Sequence, residues 1–297
     1  MVHRQHFGSV VVCLVLAAVF AGCGGSSDSG NASGFVDAAW LARHLDDPDV
    51  QVVDARTGLT GEPTFAEGHI RGAVELSPYA LATVRDGVIA QVPPRDEARE
   101  LLVGLGLDAN STIVVYGEPP EYDPARVVWA LRHYGYADVR MLDGGIAAWQ
   151  AAGYGLETGG VAPAPDASFP SSGVETLRVT GDWILDALEA PPGSPGAIQL
   201  VDARSDIEFD TGRIPGAVHV QWGRNLDESG FLRSREELAE IHAGLDREKT
   251  TVVYCLAGWR ASLEWLVLEE LGFQDVRVYD GSWYEWGADP RFPVETE

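Results

Sequence analysis

The chain has 297 residues, of which 45% are hydrophobic, and its 45 acidic against 21 basic side chains produce a formal net charge of −24. This length has room for two domains of ordinary size, and this composition can bury a core, which excludes a disordered protein. A strongly negative surface repels phosphate backbones, so we exclude a nucleic-acid partner. Any site for an anion must be local and built from few groups.

The N-terminus has the pattern of an export signal, which we place at residues 1–22. Its apolar run, Val10 to Ala21, is too short to span a bilayer as a helix. Small residues precede Cys23, as in bacterial lipoprotein signals, and this predicts a lipid anchor on Cys23. Plain secretion and a retained helical anchor are the alternatives. We expect an exported protein that contacts the membrane only through this lipid, with 23–35 as a flexible tether.

The three cysteines then have different fates. Cys13 would leave with the signal and Cys23 would carry the lipid, so Cys255 would be the only free thiol of the mature protein. This excludes a disulfide framework and a cysteine-rich metal site. The seven histidines show no ligand spacing, so we expect no metal.

The two halves of the chain repeat the same short blocks in the same order. The pairs are 52–56 with 200–204, 68–74 with 212–218, 114–116 with 252–254, 134–140 with 271–277, and 143–145 with 280–282. Ordered self-similarity of this kind indicates a duplicated domain. We place the first domain at 36–155 and the second at 179–297. The segment 156–178 is rich in Gly, Pro, Ser and Ala, as in an interdomain linker.

Each copy alternates helical and strand patterns. Continuous apolar runs at 113–116 and 251–254 are typical of parallel strands that are buried on both faces. Helical spacing of apolar residues predicts helices at 37–45, 126–134, 181–188 and 261–271. The alternation indicates an α/β fold in which each domain is a parallel sheet flanked by helices.

Cys255 lies where a predicted strand ends and a predicted helix is about to begin. Ligands of α/β sheets gather at such strand ends. Loop N–H groups directed at the sulfur and the helix N-terminus would stabilise negative charge. Gly258 permits a backbone conformation that most residues resist, and Arg260 adds a positive charge with a fork suited to an oxyanion. These features favour a nucleophilic thiolate at Cys255.

The repeated blocks, the strand–cysteine–helix unit at 252–268 and the motif Asp280-Gly281-Ser282-Trp283 resemble the rhodanese family. Within it they are similar to tandem-domain sulfurtransferases that act on thiosulfate or 3-mercaptopyruvate. The resemblance covers about residues 36–293. It implies that the first domain is inactive and the second catalytic. Gly117 stands in the first copy where Cys255 stands in the second, as this implies.

The resemblance also implies a reaction. The Cys255 thiolate attacks the outer sulfur of thiosulfate, sulfite leaves, and an acceptor such as cyanide or a thiol takes the sulfur from the resulting persulfide. No cofactor is needed, and we expect a monomer whose partners are a small sulfur donor and acceptor. Besides Cys255, the residues expected to contact substrate are Leu256, Ala257, Gly258, Trp259, Arg260 and Arg204.

Several alternatives remain open. The protein could be a 3-mercaptopyruvate enzyme, or a persulfide carrier or binding module without turnover. Glu208 stands where thiosulfate-using relatives often have a substrate-binding arginine, which weakens the assignment of the donor. Trp259 could wall the pocket or pack against the other domain. A cysteine phosphatase is disfavoured because the loop from Cys255 to Arg260 is one residue shorter than in those enzymes.

Overall fold

The computed structural model describes residues 33–57, 64–118, 122–160, 166–191, 194 and 196–296. The predicted signal peptide and Cys23 lie outside these residues. Within the described ranges, none of the helices has the length and apolar character needed to cross a membrane.

The first half of the chain contributes seven strands and four helices to the described structure. In chain order they are β1 (Phe35–Val36), α1 (Ala38–His44), β2 (Val50–Asp54), β3 (Ala73–Glu75), β4 (Thr83–Arg85), β5 (Val88–Gln91), α2 (Arg95–Gly104), β6 (Thr112–Tyr116), α3 (Tyr122–Tyr134), β7 (Asp138–Leu142) and α4 (Gly145–Ala151). The second half begins after a short 3-10 turn at Glu175–Leu177. Its elements are β8 (Arg178–Val179), α5 (Gly181–Leu188), β9 (Gln199–Asp202), α6 (Asp206–Thr211), β10 (Val218–His219), α7 (Arg235–Ile241), β11 (Thr251–Tyr254), α8 (Trp259–Glu270), β12 (Val276–Tyr279) and α9 (Ser282–Trp286).

The strands form two parallel sheets with the same topology. The first has the order β1-β7-β6-β2-β3, and the second has the order β10-β9-β11-β12-β8, which is the same arrangement of equivalent strands read from the other edge. β4 and β5 form a separate antiparallel hairpin. The predicted α/β class with two sheets flanked by helices is therefore confirmed, and the repeat in the sequence corresponds to a repeat in the fold.

The central strands are buried on both faces, as their continuous apolar runs predict. Val115 of β6 and Val253 of β11 point into one large hydrophobic cluster that both halves share. Val114 and Val252 point to the opposite faces, into smaller clusters that belong to one half each. Helices α3 and α8 pack against each other within the shared cluster. The two halves are thus joined by a common core.

Two helices begin earlier than their apolar spacing predicts, α3 by four residues and α8 by two. Helix α3 begins at Tyr122 and α8 begins at Trp259. The first turn of a helix is set by its cap and its loop, since its N–H groups have no partners within the helix, and apolar periodicity does not report on it. Helix 181–188 and strand 251–254 match their predicted bounds.

A buried ion pair crosses between the halves. Asp280, directly after β12, is fully buried, and its Oδ1 lies 2.8 Å from Nη1 of the equally buried Arg126 on α3, an ionic contact without hydrogen-bond alignment. Arg178 Nε approaches Oδ2 at 3.2 Å, and the Val92 N–H donates to the same oxygen at 3.0 Å. Burial alone would raise the pKa of Asp280, but the charges of Arg126 and Arg178 lower it below its usual value.

We expect Arg126→Met to lower the free energy of unfolding by about 3–5 kcal/mol, because it leaves a buried carboxylate without its main partner. The matched control is Arg71→Met, which removes an exposed pair with Asp46 that has the same charge types and a 2.7 Å contact. The control substitution should lower the free energy of unfolding by at most about 1 kcal/mol. Denaturant titration measures both values, and equal losses would show that the buried pair does not hold the halves together.

Candidate active site

Cys255 lies at the carboxyl end of β11, in the middle of the second sheet, and only 1% of its surface is exposed. Gly258 follows with φ +79°, in the left-handed region, and caps the start of α8. A Cβ on Gly258 would lie 3.1 Å from Arg126 Nη1 and from the carbonyl and Oδ1 oxygens of Asp280. The conformation and the close approach of the ion pair both require glycine here.

Ser282 anchors the cysteine loop through hydrogen bonds to its backbone. The N–H groups of Cys255 and Gly258 donate to its Oγ at 3.1 and 3.0 Å, and the hydroxyl donates to the Tyr279 carbonyl at 2.7 Å. The expectation that the loop N–H groups surround the sulfur is therefore wrong for these two. Sequence analysis missed Ser282, although the repeat marks its position: the first copy has Gly145 there.

The remaining loop N–H groups are free. Within the described chain, the N–H groups of Leu256 and Ala257 have no acceptor. The Leu256 carbonyl accepts from Tyr284 at 2.9 Å, and the Cys255 carbonyl accepts from Trp283 at 3.0 Å, so the loop is anchored through its oxygens. The free N–H groups can bind a negatively charged group beside the sulfur.

Arg260 lies at the first turn of α8, and its guanidinium binds Glu208 of α6 in a bidentate contact of 2.8 and 2.9 Å. Glu208 also accepts from the N–H and Oγ of Ser205, which completes a capping box. The hydrogen bonds from Arg260 lower the pKa of Glu208 to about 2, against the effect of burial. Burial opposes the charge of Arg260, but Glu208 and Cys255 raise its pKa. At neutral pH Glu208 therefore offsets much of the Arg260 charge.

A cavity of about 780 Å³ opens above Cys255, and both halves of the chain line it. From the second half come Trp222, Cys255, Leu256, Ala257, Trp259 and Arg260. From the first half come Thr57, Tyr79, Ala82, Thr83, Val84, Ile89, Ala90, Glu118, Tyr122 and Asp123. The first half thus supplies the wall that faces the cysteine, including both strands of the β4–β5 hairpin.

Two aromatic contacts link the walls of the cavity. Trp259 packs against Tyr79 with ring centroids 4.9 Å apart, and Trp222 meets Tyr122 edge-on at 5.0 Å. Trp259 therefore combines the two roles that the sequence left open, since it lines the cavity and packs against the other half. Trp283 instead packs under Arg204, 4.3 Å from its guanidinium carbon.

Arg204 and Gly258 are not among the described residues that line the cavity. Arg204 is buried, pairs with Asp202 at 2.6 Å and donates to the Gly212 carbonyl. Arg56 makes the same contacts with Asp54 and the Gly68 carbonyl in the first half. In each half, the arginine of the shared Asp-Ala-Arg block therefore connects the end of a strand to a following loop. The structure places Leu256, Ala257, Trp259 and Arg260 at the cavity with Cys255.

Gly117, the counterpart of Cys255, keeps the same carbonyl contact but has no room for a side chain. Its carbonyl accepts from the Ile146 N–H at 3.0 Å, as the Cys255 carbonyl accepts from Trp283. A Cβ on Gly117 would lie 2.7 Å from Cδ of Pro124. Pro124 in the first turn of α3 thus fills the space that the thiol occupies in the second copy.

Sequence analysis also missed Glu118 and Asp123, two acidic residues of the cavity wall. Burial and the neighbouring Glu118 raise the pKa of Asp123 to about 6. The only sequence signal was that Glu118 directly follows Gly117, the counterpart of Cys255, and that Asp123 lies near the start of the following helix. Among the described residues, no cluster of His, Cys, Asp and Glu is arranged to hold a metal ion.

The charge balance at Arg260 can be tested with two alkylating agents. In Glu208→Gln, the ratio of the Cys255 alkylation rate with anionic iodoacetate to that with neutral iodoacetamide should rise about 5-fold, since a unit charge at such a contact is worth about 1 kcal/mol. Glutamine keeps the capping box. The matched control is Glu237→Gln, which belongs to the same kind of capping box with Ser234 in α7. A rise in both variants, or in neither, would contradict the local effect.

Comparison with known proteins places these features in a family. The family model described as "Rhodanese-like domain" matches residues 37–152 and 182–289. The chain is 33% identical over 284 residues to the putative thiosulfate sulfurtransferase SseA of Mycobacterium tuberculosis, covering 87% of this chain and 89% of that protein. It is 32% identical over 281 residues to the 3-mercaptopyruvate sulfurtransferase of Escherichia coli, covering 88% and 97%. The crystal structure of SseA from Escherichia coli aligns with a TM-score of 0.74 at 31% identity, covering 84% of this chain and 99% of that one.

Proposed function

Since this chain belongs to the rhodanese family and is a sulfurtransferase with tandem domains, we propose that it moves sulfane sulfur from thiosulfate to a thiophilic acceptor through a persulfide on Cys255. The observation that carries the proposal is the position of Cys255. It is the one thiol of the described chain, it lies at a strand end beside Arg260, and it faces a cavity. The proposal includes no cofactor.

The reaction has two displacement steps. The Cys255 thiolate attacks the outer sulfur of thiosulfate, the sulfur–sulfur bond of the donor breaks, and sulfite leaves with the electron pair. The free N–H groups of Leu256 and Ala257 are positioned to bind negative charge as this happens. The acceptor then attacks the outer sulfur, and the bonding pair returns to Cys255 as thiolate.

3-Mercaptopyruvate is the alternative donor. Glu208 offsets much of the Arg260 charge, so this site attracts a dianion such as thiosulfate only weakly, and a carboxylate monoanion needs less compensation. A relative at 32% identity also carries the name 3-mercaptopyruvate sulfurtransferase. A third candidate is a persulfide carrier that does not turn over.

The central test follows sulfur on Cys255. We expect protein treated with thiosulfate to gain the mass of one sulfur on Cys255, and to form thiocyanate when cyanide is added. Cys255→Ser should do neither, since serine cannot form a persulfide. Parallel reactions with 3-mercaptopyruvate compare the donors, measured by intact-protein mass and thiocyanate yield.

The outcomes separate the candidates. Thiocyanate at equal rates with wild type and Cys255→Ser would overturn the role of Cys255. Persulfide without thiocyanate would identify a carrier, and loading by 3-mercaptopyruvate alone would replace thiosulfate as donor. A loss of transfer in Arg71→Met, a surface variant far from the loop in sequence, would show that the assay reports stability instead of chemistry.

We also propose that the protein is exported and anchored by lipid on Cys23, supported by the apolar run and the small residues before this cysteine. We propose further that it acts as a monomer, because a single chain supplies both walls of the cavity.

We expect Cys23→Ala to move the protein from the membrane to the soluble fraction. Cys13→Ala, within the apolar run, is the control and should leave the distribution unchanged. Membrane association that persists in Cys23→Ala would refute the lipid anchor.

A further inference from the structure

The first half of the chain presents a buried carboxylate to the cavity that faces Cys255. Glu118 is only 5% exposed and lines the cavity. One of its oxygens receives a long contact of 3.5 Å from the Thr57 hydroxyl, and the other, Oε2, has no partner among the described residues. An unsatisfied buried carboxylate oxygen beside a cavity is costly, and a cation in the cavity would offset its charge.

A second carboxylate, Asp123, reinforces this negative wall. It lines the same cavity, and burial together with the neighbouring Glu118 raises its pKa to about 6, so it is mostly ionised at pH 7. Arg260 is the only cationic side chain among the described residues of the lining, and it is paired with Glu208. The wall formed by Glu118 and Asp123 therefore attracts cations into the cavity.

Aromatic rings line the same cavity as these carboxylates. Tyr79, Tyr122, Trp222 and Trp259 all line the cavity, and they form two ring pairs. Aromatic faces attract organic cations most strongly where water is excluded. Two carboxylates beside apolar rings do not provide the full oxygen shell that a hard metal ion requires, so the chemistry matches an alkylated or primary ammonium group.

We propose that Glu118, Asp123, Tyr79 and Tyr122 form a subsite for the ammonium group of a cationic thiol, which accepts sulfur from Cys255. This inference rests on the proposed persulfide chemistry and assigns the class of acceptor. The anionic donor reacts beside Arg260 and the free loop N–H groups. The acceptor places its charge at Glu118 and Asp123, so the two half-reactions use different charged groups of one cavity.

The transfer step balances without an added oxidant or reductant. The acceptor thiolate attacks the outer sulfur of the Cys255 persulfide and forms a new sulfur–sulfur bond. The bond between the outer sulfur and Sγ breaks, and its electron pair returns to Cys255 as thiolate. The proton on the outer sulfur stays with the product, a hydropersulfide of the acceptor. The ammonium group keeps its charge throughout and serves to orient the thiol.

Binding can be tested without any sulfur chemistry. Calorimetry compares choline with 3,3-dimethyl-1-butanol, which has the same shape without the charge. We expect choline to bind wild type about 10-fold more tightly than the neutral alcohol, an advantage that Glu118→Gln/Asp123→Asn abolishes. The control Asp46→Asn/Glu237→Gln removes the same number of charges at exposed sites and should keep the preference. Equal binding of the two probes to wild type would overturn the subsite.

The melting temperature of the double variant shows whether Glu118 and Asp123 bind a ligand or stabilise the fold. Glu118 is buried and Asp123 is partly buried, and neither has a cationic partner among the described residues. The double variant should therefore unfold at the same or a higher temperature than wild type. A lower melting temperature together with lost choline binding would assign the two residues to folding and overturn the proposal. The single variant Asp123→Asn repeats the binding test where the double variant fails to fold.

The transfer test uses protein carrying a Cys255 persulfide and three thiols of similar size: cysteamine, 2-mercaptoethanol and 3-mercaptopropionate. The rates of sulfur transfer from the double variant give the intrinsic reactivity of the three thiols. After division by these rates, the rate for wild type should be about 10-fold higher with cysteamine than with 2-mercaptoethanol, and lower still with the anionic thiol. If no donor loads Cys255, the proposed function fails and choline binding alone decides the subsite. If loading succeeds and the thiol ratios match in both proteins, the subsite is wrong and the sulfur chemistry stands.

Discussion

The ion pair between Arg126 and Asp280 joins the two halves of the chain beneath the reactive loop. A fully buried carboxylate is tolerated only with a partner, and here the main partner comes from α3 of the first half. Asp280 in turn touches the position of Gly258, and Ser282, two residues further on, binds the N–H groups of Cys255 and Gly258. The geometry of the cysteine loop therefore depends on a residue of the copy that has no cysteine.

The two copies have kept the same sheet and diverged at the same loop. At the end of β11 the loop presents a thiol, while at the end of β6 the equivalent position is Gly117, packed against Pro124. The β4–β5 hairpin, Glu118 and Asp123 of the first half line the cavity together with Cys255 of the second half. Both halves of the chain are therefore needed to form this cavity.

Only a few charged side chains line the cavity among the described residues. In a protein with a net charge of −24, Arg260 is the only cationic side chain among the described residues that line the cavity, and Glu208 offsets part of its charge. The low pKa of Glu208 keeps this pairing intact across the neutral range. Glu118 and Asp123 add negative charge to the lining of the same cavity.

The amino-acid sequence by itself determined the fold class, the duplication and the position of Cys255 at a strand end. Apolar runs such as 251–254 and the order of the repeated blocks are local or periodic signals, and burial on a sheet requires them wherever the fold occurs. Cys255 follows from the same logic, since the end of a strand can be read along the chain. The starts of α3 and α8 could not be read in this way, because the first turn of a helix need not carry the apolar spacing that marks its buried face.

Only the tertiary structure decided which charges meet. Arg260 pairs with Glu208, Arg126 reaches Asp280 and Ser282 binds the loop, although each pair is distant in sequence. Arg204, expected at the substrate, is held inside its own half by Asp202, while Glu118 and Asp123 reach the cavity from the other copy. Spacing along a chain predicts which face a residue occupies. The partner of a charge depends on how separate elements pack, and no local pattern records that.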